Sequence, residues 1–357
     1  MPKHLAIKVE KTLCNLVLSE MRKLNALERH LKIDRKESFV YIPIKRERLP
    51  LIKEKLRGSN LPYKVVVHSF STSITHKKDL ASCLRDTIPP ELLQNIPQSY
   101  DIIGDIVIVE LKPEIYPYKK EVGEALLSFH HSVRLVLNKI GDIKGRYRVG
   151  EYEILAGEGP TETVHKEYGC KFKLDISKVF YTPRLSTERI RIVNQTSPSE
   201  VVCDLFAGVG PFSILIAKKK GALVYSVDIN PHAVKYLKTN ISLNKVERYV
   251  IPLLGDASQL SKGPLKGRCN RVIMNLPAGA HLFLDAASDV LKREGGVVHL
   301  HLFSESPKPE NWPSLYKSFR ELGWAHVELM NWRRVRETGP RKFHLALDII
   351  VKSRRNS

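Results

Sequence analysis

The stretch that most constrains this chain runs from Val201 to Pro277. It opens Val-Val-Cys-Asp-Leu-Phe-Ala-Gly-Val-Gly-Pro-Phe-Ser, Val201 to Ser213, and closes Arg-Val-Ile-Met-Asn-Leu-Pro, Arg271 to Pro277. Two further apolar runs lie between them, Leu223 to Asp228 and Val250 to Asp256, and each ends in an acid. Apolar runs of about five residues that stop at a polar residue or a glycine suit strands buried on both faces. The segments between read as helices, so the connections are right-handed crossovers and the four strand ends share one edge of a parallel sheet. An open α/β sheet binds its ligand at that edge.

Each strand end offers a different group. Gly208 and Gly210 lack a Cβ, so the backbone can turn tightly and approach a ligand closely. Asp204 stands at the first strand tip, placed for an amino group or its water shell. Asp228 follows 24 residues later, close to the spacing at which an acid meets the ribose hydroxyls of an adenosine. Asp256 ends the third run beside the expected adenine, and Asn275-Leu276-Pro277 ends the fourth, where a second substrate belongs. Phe206 and Ile229, inside the first two signatures, and Asn275 itself complete the expected cofactor-binding set. Each part also has an ordinary structural reading: Asp228 as a cap for a helix starting near Pro231, Asn275 as a turn residue. A dinucleotide site fits less well, because Ser213 stands where the third glycine of Gly-x-Gly-x-x-Gly belongs. The four ends in this order resemble the S-adenosylmethionine site of a class I methyltransferase.

The 357 residues allow two or three domains, and no apolar run approaches the roughly 18 to 20 residues of a membrane span. Five cysteines are scattered without a Cys-x-x-Cys pair, which argues for reduced structural thiols and against zinc. The N-terminus has no signal-peptide pattern, and Glu10 and Glu20 argue against a transit peptide, so a cytoplasmic protein is expected. The formal charge of +20 suits a partner with a phosphate backbone. Residues 1 to 80 carry eighteen Lys and Arg against eight Asp and Glu, a net of +10 in under a quarter of the chain.

In chain order, residues 3 to 45 read as strand (His4 to Val9), helix (Thr12 to Leu27) and strand (Ser38 to Pro43). A basic second helix follows with Arg46, Arg48, Lys53, Lys55 and Arg57, then a strand from Tyr63 to His68. Those charges suit either a solvated helix face or phosphate tracking. Ser71 to Asp79 reads as a linker, Leu80 to Leu93 as helical, and Asp101 to Leu111 as a strand pair turned at Gly104-Asp105. Pro113 to Ile140 reads as mostly helical, with His130 and His131 as surface or packing residues. Between Gly145 and Arg191, Arg148 precedes a strand at Cys170 to Asp175 and the run Phe180-Tyr181-Thr182-Pro183-Arg184-Leu185-Ser186-Thr187-Glu188-Arg189. Two aromatics and an acid flanked by arginines form a plausible base pocket. The ordinary reading is a helix start with Ser186 or Thr187 as cap. After Pro277 the pattern gives helix, strand, helix and a closing hairpin, Ala325 to Asn331 with Phe343 to Val351, whose Arg-rich connection from Arg333 to Arg341 could line an RNA path.

With these motifs in place, the chain resembles the archaeal and eukaryotic tRNA (guanine-37-N1)-methyltransferase family over nearly its whole length. The resemblance rests on Pro-Arg-Leu-x-x-Glu-Arg from Pro183, Asp-x-Phe-Ala-Gly-Val-Gly-Pro-Phe-Ser from Asp204, Asp-Ile-Asn-Pro-His-Ala from Asp228, and Asn-Leu-Pro from Asn275. It implies an α/β fold: a class I Rossmann-like methyltransferase domain (196–357), a middle α+β domain that grips RNA and base (85–195), and a small N-terminal α+β module (1–70) joined by a linker (71–84). The resemblance further implies S-adenosylmethionine as cofactor, with Asp228 on its ribose and Asp256 on its adenine amino group. tRNA is the implied partner, held at its outer corner by the N-terminal module and at the anticodon stem-loop by the rest of a monomeric chain. Glu188 is implied as general base, Arg148 as the group that steadies guanine O6, and Asn275 with Pro277 as the frame of the target base. Phe180, Tyr181, Arg184 and Arg189 join Arg148 and Pro277 in the expected substrate-binding set. The sequence departs from the family pattern in the order Phe180-Tyr181 and in Ala278, which leaves no aromatic after Asn-Leu-Pro.

The chemistry needs these residue types. Guanine N1 carries a proton at neutral pH and becomes nucleophilic only when a base removes it, while a cation near O6 stabilises the charge that develops. Rival readings are methylation at C7 of a wyosine precursor at the same position, aminocarboxypropyl transfer from the same cofactor, and a non-catalytic RNA-binding subunit.

Overall fold

The computed structural model describes residues 3–28, 31–59, 61–71 and 80–355, with residues 142–144 as backbone only. The chain divides into two compact units, Met1–Cys83 and Leu84–Ser357. In the first, β1 (Lys3–Glu10), α1 (Cys14–Lys23), β2 (Asp34–Lys36), β3 (Phe39–Pro43), α2 (Leu49–Gly58) and β4 (Lys64–Ser69) follow in order. The strands form an antiparallel sheet ordered β2-β3-β1-β4. Ile7, Val9, Val40 and Ile42 alternate onto one face and join Val17, Met21, Ile52 and Leu56 of the helices in one core. The helix expected to reach Leu27 stops at Lys23 instead: Asn25 turns to a left-handed φ of 48°, and the Ala26 N–H reaches back to the Met21 carbonyl at 2.9 Å. Lys53, Lys55 and Arg57 are exposed on α2, opposite buried Ile52 and Leu56.

The expected linker lies outside the described residues from 72 to 79. The helix expected from Leu80 to Leu93 is only α3 (Leu80–Leu84); Pro89 and Pro90 interrupt it, and a 3-10 turn (Pro90–Asn95) follows. The second unit opens with β5 (Asp101–Ile103), β6 (Ile106–Val109), α4 (Lys119–Phe129), β7 (Leu135–Lys144) and β8 (Val149–Gly157), whose strands are ordered β5-β6-β7-β8. The turn at Gly104 requires glycine: its φ is 60°, and a Cβ there would fall 2.0 Å from Thr163 Oγ1. The long helix expected up to Ile140 ends at Phe129, and Leu135 begins a strand. Leu135, Val136 and Leu137 are all buried, and a run buried on every side has no period to distinguish strand from helix. His130 and His131 therefore follow the helix; His130 Nε2 is 2.8 Å from Tyr100 Oη as a packing residue.

Next come the hairpin β9 (Glu162–Glu167) and β10 (Cys170–Asp175), turned at Tyr168 and Gly169 with φ of 47° and 81°. α5 (Ser186–Gln195) is preceded by a 3-10 turn (Pro183–Leu185) that Thr182 caps, its Oγ1 accepting from the Arg184 N–H at 3.3 Å. Ser186 and Thr187, expected as caps, lie inside the helix.

The remaining elements are β11 (Val201–Asp204), α6 (Pro211–Lys220), β12 (Leu223–Asp228), α7 (Pro231–Asn244), β13 (Val250–Leu254), α8 (Ala257–Lys262), β14 (Arg271–Met274), α9 (Leu284–Val290), β15 (Gly295–Ser304), α10 (Trp312–Glu321), β16 (Trp324–Gly339) and β17 (Lys342–Arg354). They build a sheet ordered β13-β12-β11-β14-β15-β17-β16, with β11 to β15 parallel and β17 antiparallel between β15 and β16. Val202, Val224 and Ile273 join one core with α6 and α7, while Cys203, Val227 and Met274 join the other with α9 and α10. The order of strands reverses between β11 and β14, so a crevice opens there. Among the described residues no helix is long and apolar enough to cross a membrane. The Arg-rich segment expected as a loop continues β16: Arg333, Arg334 and Arg336 pair with Ala346, Leu345 and His344 across bulges. Ladder partners on β17 sustain a strand that charge had disguised.

The free edge of β10 is closed by a helix rather than a strand. Asn240 Oδ1 accepts from the Lys173 N–H and its Nδ2 donates to the Lys173 carbonyl (2.7 and 3.0 Å). Asn244 does the same at Lys171 (2.9 and 2.7 Å). Four residues of helix advance about 6 Å and two of strand about 6.8 Å, so the two repeats nearly match. Asn230 Nδ2, at the start of α7, donates to the Lys178 carbonyl at 2.9 Å.

Candidate active site

A cleft of about 490 Å³ opens at the C-terminal ends of β11, β12 and β14. The chain leaves β11 through Gly208 and Gly210, with φ of 55° and 91°. The two glycines serve different ends. A Cβ on Gly208 would meet no atom nearer than 3.9 Å, and this residue lines the cleft. A Cβ on Gly210 would lie 2.4 Å from Leu237 Cδ1, so this glycine admits α7 against the loop and stands off the cleft wall.

On this side the acids are held by backbone amides. Asp228 accepts from the Gly208 N–H through Oδ2 (2.7 Å) and from the Asn230 N–H through Oδ1 (2.8 Å). Burial raises its pKa, and the amides of Asn230, Gly208 and Ile229 oppose the shift. A carboxylate has about four acceptor sites, so about half remain for a ligand's hydroxyls. Asn230, rather than Asp228, caps α7 by accepting from the His232 N–H at 2.9 Å. Asp204 is fully buried and off the wall; the Ser213 hydroxyl donates to its Oδ2 at 2.8 Å, and its Oδ1 has no partner. Burial pushes Asp204 up to about 7 against the Ser213 hydroxyl, and the charge of Asp228 adds to the rise. Asp256 lies beyond β13 and caps α8, accepting from the Ser258 N–H at 3.0 Å, while its other oxygen takes Arg146 Nη2 at 3.0 Å. Phe206 and Ile229 line the cleft between these groups.

Asn275 and Pro277 follow β14 on the same wall, and Phe303 N–H donates to the Pro277 carbonyl at 3.1 Å, fixing the turn to β15. Asn275 Oδ1 is buried with no partner among the described residues, a position that suits a donor supplied by a ligand.

The facing wall is cationic and aromatic. Arg148 holds a φ of 53°, has no carboxylate partner among the described residues, and lies with its guanidinium 5.9 Å from the centre of the Phe180 ring. Burial lowers its pKa. Phe180 is half-exposed on the wall, whereas Tyr181 turns inward and donates to Glu167 at 3.1 Å. Arg189 lines the cleft, yet its charge goes to Glu167 at 2.5 Å and to the Thr182 carbonyl at 2.7 Å. Arg184 lies outside, paired with Asp101 at 2.5 Å.

Glu188 is fully buried behind this wall. Arg191 donates to its two oxygens at 2.7 and 3.0 Å, Arg333 Nε stands 3.4 Å away, and His301 Nε2 stands at 3.7 Å. The structure thus gathers Gly208, Asp228, Asp256, Asn275, Pro277, Arg148, Phe180, Tyr181 and Arg189 around one cleft, and leaves Asp204, Gly210, Glu188 and Arg184 off its surface. It also adds Arg336 and His344, from β16 and β17, which sequence reasoning missed. A signal existed for the buried histidines behind them: His299 and His301 alternate inside the apolar run Val297 to Phe303, polar residues on one face of a buried strand. A larger, open hollow of about 800 Å³ beside β9 holds Arg134, whose guanidinium is taken up by Asp105 and three carbonyls.

A glycine at the point of closest approach, a half-free buried acid one strand over and an unpaired amide oxygen fit S-adenosylmethionine, with its ribose hydroxyls and ammonium group. Comparison with known proteins agrees. The family model described as "TRM5/TYW2 methyltransferase domain" matches residues 163–313, "TYW2 N-terminal domain" matches 80–161, and "tRNA methyltransferase 5 N-terminal domain" matches 6–51. The tRNA (guanine(37)-N(1))-methyltransferase Trm5b of Pyrococcus abyssi is 38% identical over 97% of this chain and 99% of its own length. A solved complex of aTrm5 and tRNALeu superposes with a TM-score of 0.68 at 34% identity, covering 98% of this chain and 100% of that one. The tRNA(Phe) (4-demethylwyosine(37)-C(7)) aminocarboxypropyltransferase of Pyrococcus horikoshii is 32% identical, over 77% of this chain and 97% of its own. With such identity over nearly the full length, the chain belongs to the TRM5/TYW2 methyltransferase family.

Proposed function

We propose that this chain transfers the methyl group of S-adenosylmethionine to N1 of guanosine 37 in tRNA. The observation that carries the reading is Arg148, an unpaired, half-buried guanidinium in the same cleft as the orphaned Asn275 Oδ1. An unpaired cation in a shielded site stabilises charge developing on an oxygen far better than one already paired. When bound, the cofactor supplies a methyl group on a sulfonium, which leaves as a thioether. The chain's residues do the rest. Asp228 takes the ribose hydroxyls, Phe206 and Ile229 flank the adenine, and Asp256 meets its amino group once it shares or releases Arg146. Asn275 and Pro277 frame the target base, Phe180 offers a ring face, and Arg148 meets O6. Glu188 is the final proton acceptor. Asp204 and Gly210 act at one remove, shaping the glycine loop, and Arg184 and Arg189 brace the wall through Asp101 and Glu167.

The rival wyosine chemistry has support in the match to the TYW2 N-terminal domain model. The first unit weighs against it: the methyltransferase 5 N-terminal model matches residues 6–51, and the aminocarboxypropyltransferase aligns with only 77% of this chain. In this reading the N-terminal module holds the outer corner of tRNA, the rest grips the anticodon stem-loop, and the enzyme works as a cytoplasmic monomer.

The test is transfer of labelled methyl to unmodified tRNA bearing guanosine 37, followed by nucleoside analysis. 1-Methylguanosine that disappears when that base is changed is the expected result. No transfer to this tRNA, with transfer to one bearing the tricyclic precursor, would replace the reading by the rival.

A further inference from the structure

Glu188 is placed to accept a proton, yet it is fully buried and stands off the cleft. Two histidines fill the space between. His344, from β17, lines the cleft and is 2% exposed. Its Nε2 lies 3.0 Å from Nδ1 of fully buried His301 on β15, and His301 Nε2 lies 3.7 Å from Glu188 Oε1. The two end nitrogens of this row, His301 Nε2 and His344 Nδ1, have no hydrogen-bond partner among the described residues.

The direction of the row follows from its inner end. Glu188 accepts from Arg191 through both oxygens, so it meets His301 as an acceptor, and His301 Nε2 is the nitrogen that carries hydrogen. His301 Nδ1 is then an acceptor, His344 Nε2 must donate to it, and His344 Nδ1 is left as a buried lone pair on a residue that lines the cleft. We propose that His344 and His301 form a two-imidazole relay that carries the N1 proton of the target guanine to Glu188, an inference that rests on the function proposed above. The N1–H bond breaks and its electron pair stays on N1 for the new N–CH3 bond. The proton joins His344 Nδ1, the His344 Nε2 proton passes to His301 Nδ1, and the His301 Nε2 proton passes to Glu188 Oε1. After the product leaves, the same steps run in reverse, release the proton to water in the cleft and restore both rings.

The surroundings keep the row uncharged at the start. His301 faces His299, Arg191, Asp348 and Arg333; His344 faces His301, Arg336 and Glu188. Burial, with the neighbouring cations and imidazoles, lowers each ring to about 3, so both are neutral at working pH. The 3.7 Å gap to Glu188 is long for transfer and of the kind that tightens when substrate binds.

Two measurements on the unmodified full-length protein test the relay. Imidazole 15N shifts without substrates are expected to show hydrogen on Nε2 and none on Nδ1 for two rings that do not titrate between pH 6 and 8. Single-turnover methylation of guanosine 37 in mixtures of H2O and D2O is expected to give a curved proton inventory, since several protons move together. His344→Gln, His301→Gln and Glu188→Gln should each slow that turnover by on the order of 100-fold, with no further loss in the double variant Glu188→Gln/His344→Gln and unchanged S-adenosylmethionine binding. A linear inventory, the opposite tautomer, or histidine variants that bind both substrates and turn over at the normal rate and pH profile would overturn the relay alone. A wild-type protein that makes no 1-methylguanosine would instead overturn the reading of the cleft.

Discussion

The two walls of the cleft are built in opposite ways. On the glycine-loop side, acids and amides come from consecutive strand ends, and backbone N–H groups of those same ends steady them, as Gly208 of the preceding strand end and Asn230 two residues on steady Asp228. On the facing side, Arg148, Arg336 and His344, with Glu188 and His301 behind them, come from five separate segments of the chain. Behind the surface, side chains meet side chains, as His344 meets His301 and Arg333 meets Glu188. A wall made of local turns tolerates change elsewhere in the chain. A wall made of long-range partners has every member coupled to the next, and mutations there should be far from additive.

Changes on the facing wall should have the largest effect. Arg148→Ala is expected to lower single-turnover methylation by about 100- to 1,000-fold, while calorimetry finds S-adenosylmethionine affinity unchanged; a matching loss of cofactor affinity would mean that the walls are not separate. Asp228→Ala should do the reverse, weakening cofactor binding by about 1.5 to 3 kcal/mol, the usual worth of charge-assisted hydrogen bonds. The glycines sharpen the contrast within one wall. Gly210→Ala should lose about 1 to 3 kcal/mol of stability in urea, because its Cβ would overlap Leu237. Gly208→Ala, with open space before it, should lose less stability and more cofactor affinity; equal behaviour would refute the division of labour.

The effect expected to be smallest at any one pH step is a pH slope. The pKa of Asp204 is raised by folding to about 7, so its contribution to stability is fully present below the unfolded value of about 3.9 and is lost as pH climbs through 7. Asp204→Asn should therefore remove a decline of on the order of 1 kcal/mol per pH unit between about pH 4 and 7. Denaturation followed across that range reads the difference, and parallel curves for the two proteins would show that Asp204 is not the source.

What the sequence revealed follows the same division. The strand ends at Asp204, Asp228 and Asn275 were legible because each is a short motif whose geometry its own neighbours impose. Glu188 was legible as a residue of interest but not as a buried one, since its cover comes from β15 to β17, well over a hundred residues away. Arg336 was hidden inside a segment whose charge suggested a surface loop, and His344, although in an expected strand, had nothing local to mark it as facing the cleft. The strand at Leu135 was lost for the opposite reason: burial on every side erased the alternation that marks a strand.

Helix α7 begins just past Asp228 and is tied through Asn230, Asn240 and Asn244 to the segment that leads to Phe180. In the proposed function it therefore acts as a gauge between the two substrates. Side chains of a strand alternate, so a slip of β10 by one residue would turn its buried face outward, and the smallest slip that restores the asparagine contacts is two residues. That step would carry Phe180 about 7 Å along. Intermediate settings of the gap between nucleoside and base are closed to this scaffold, and a descendant that methylates a differently placed atom would have to change the ring at Phe180 rather than adjust the spacing.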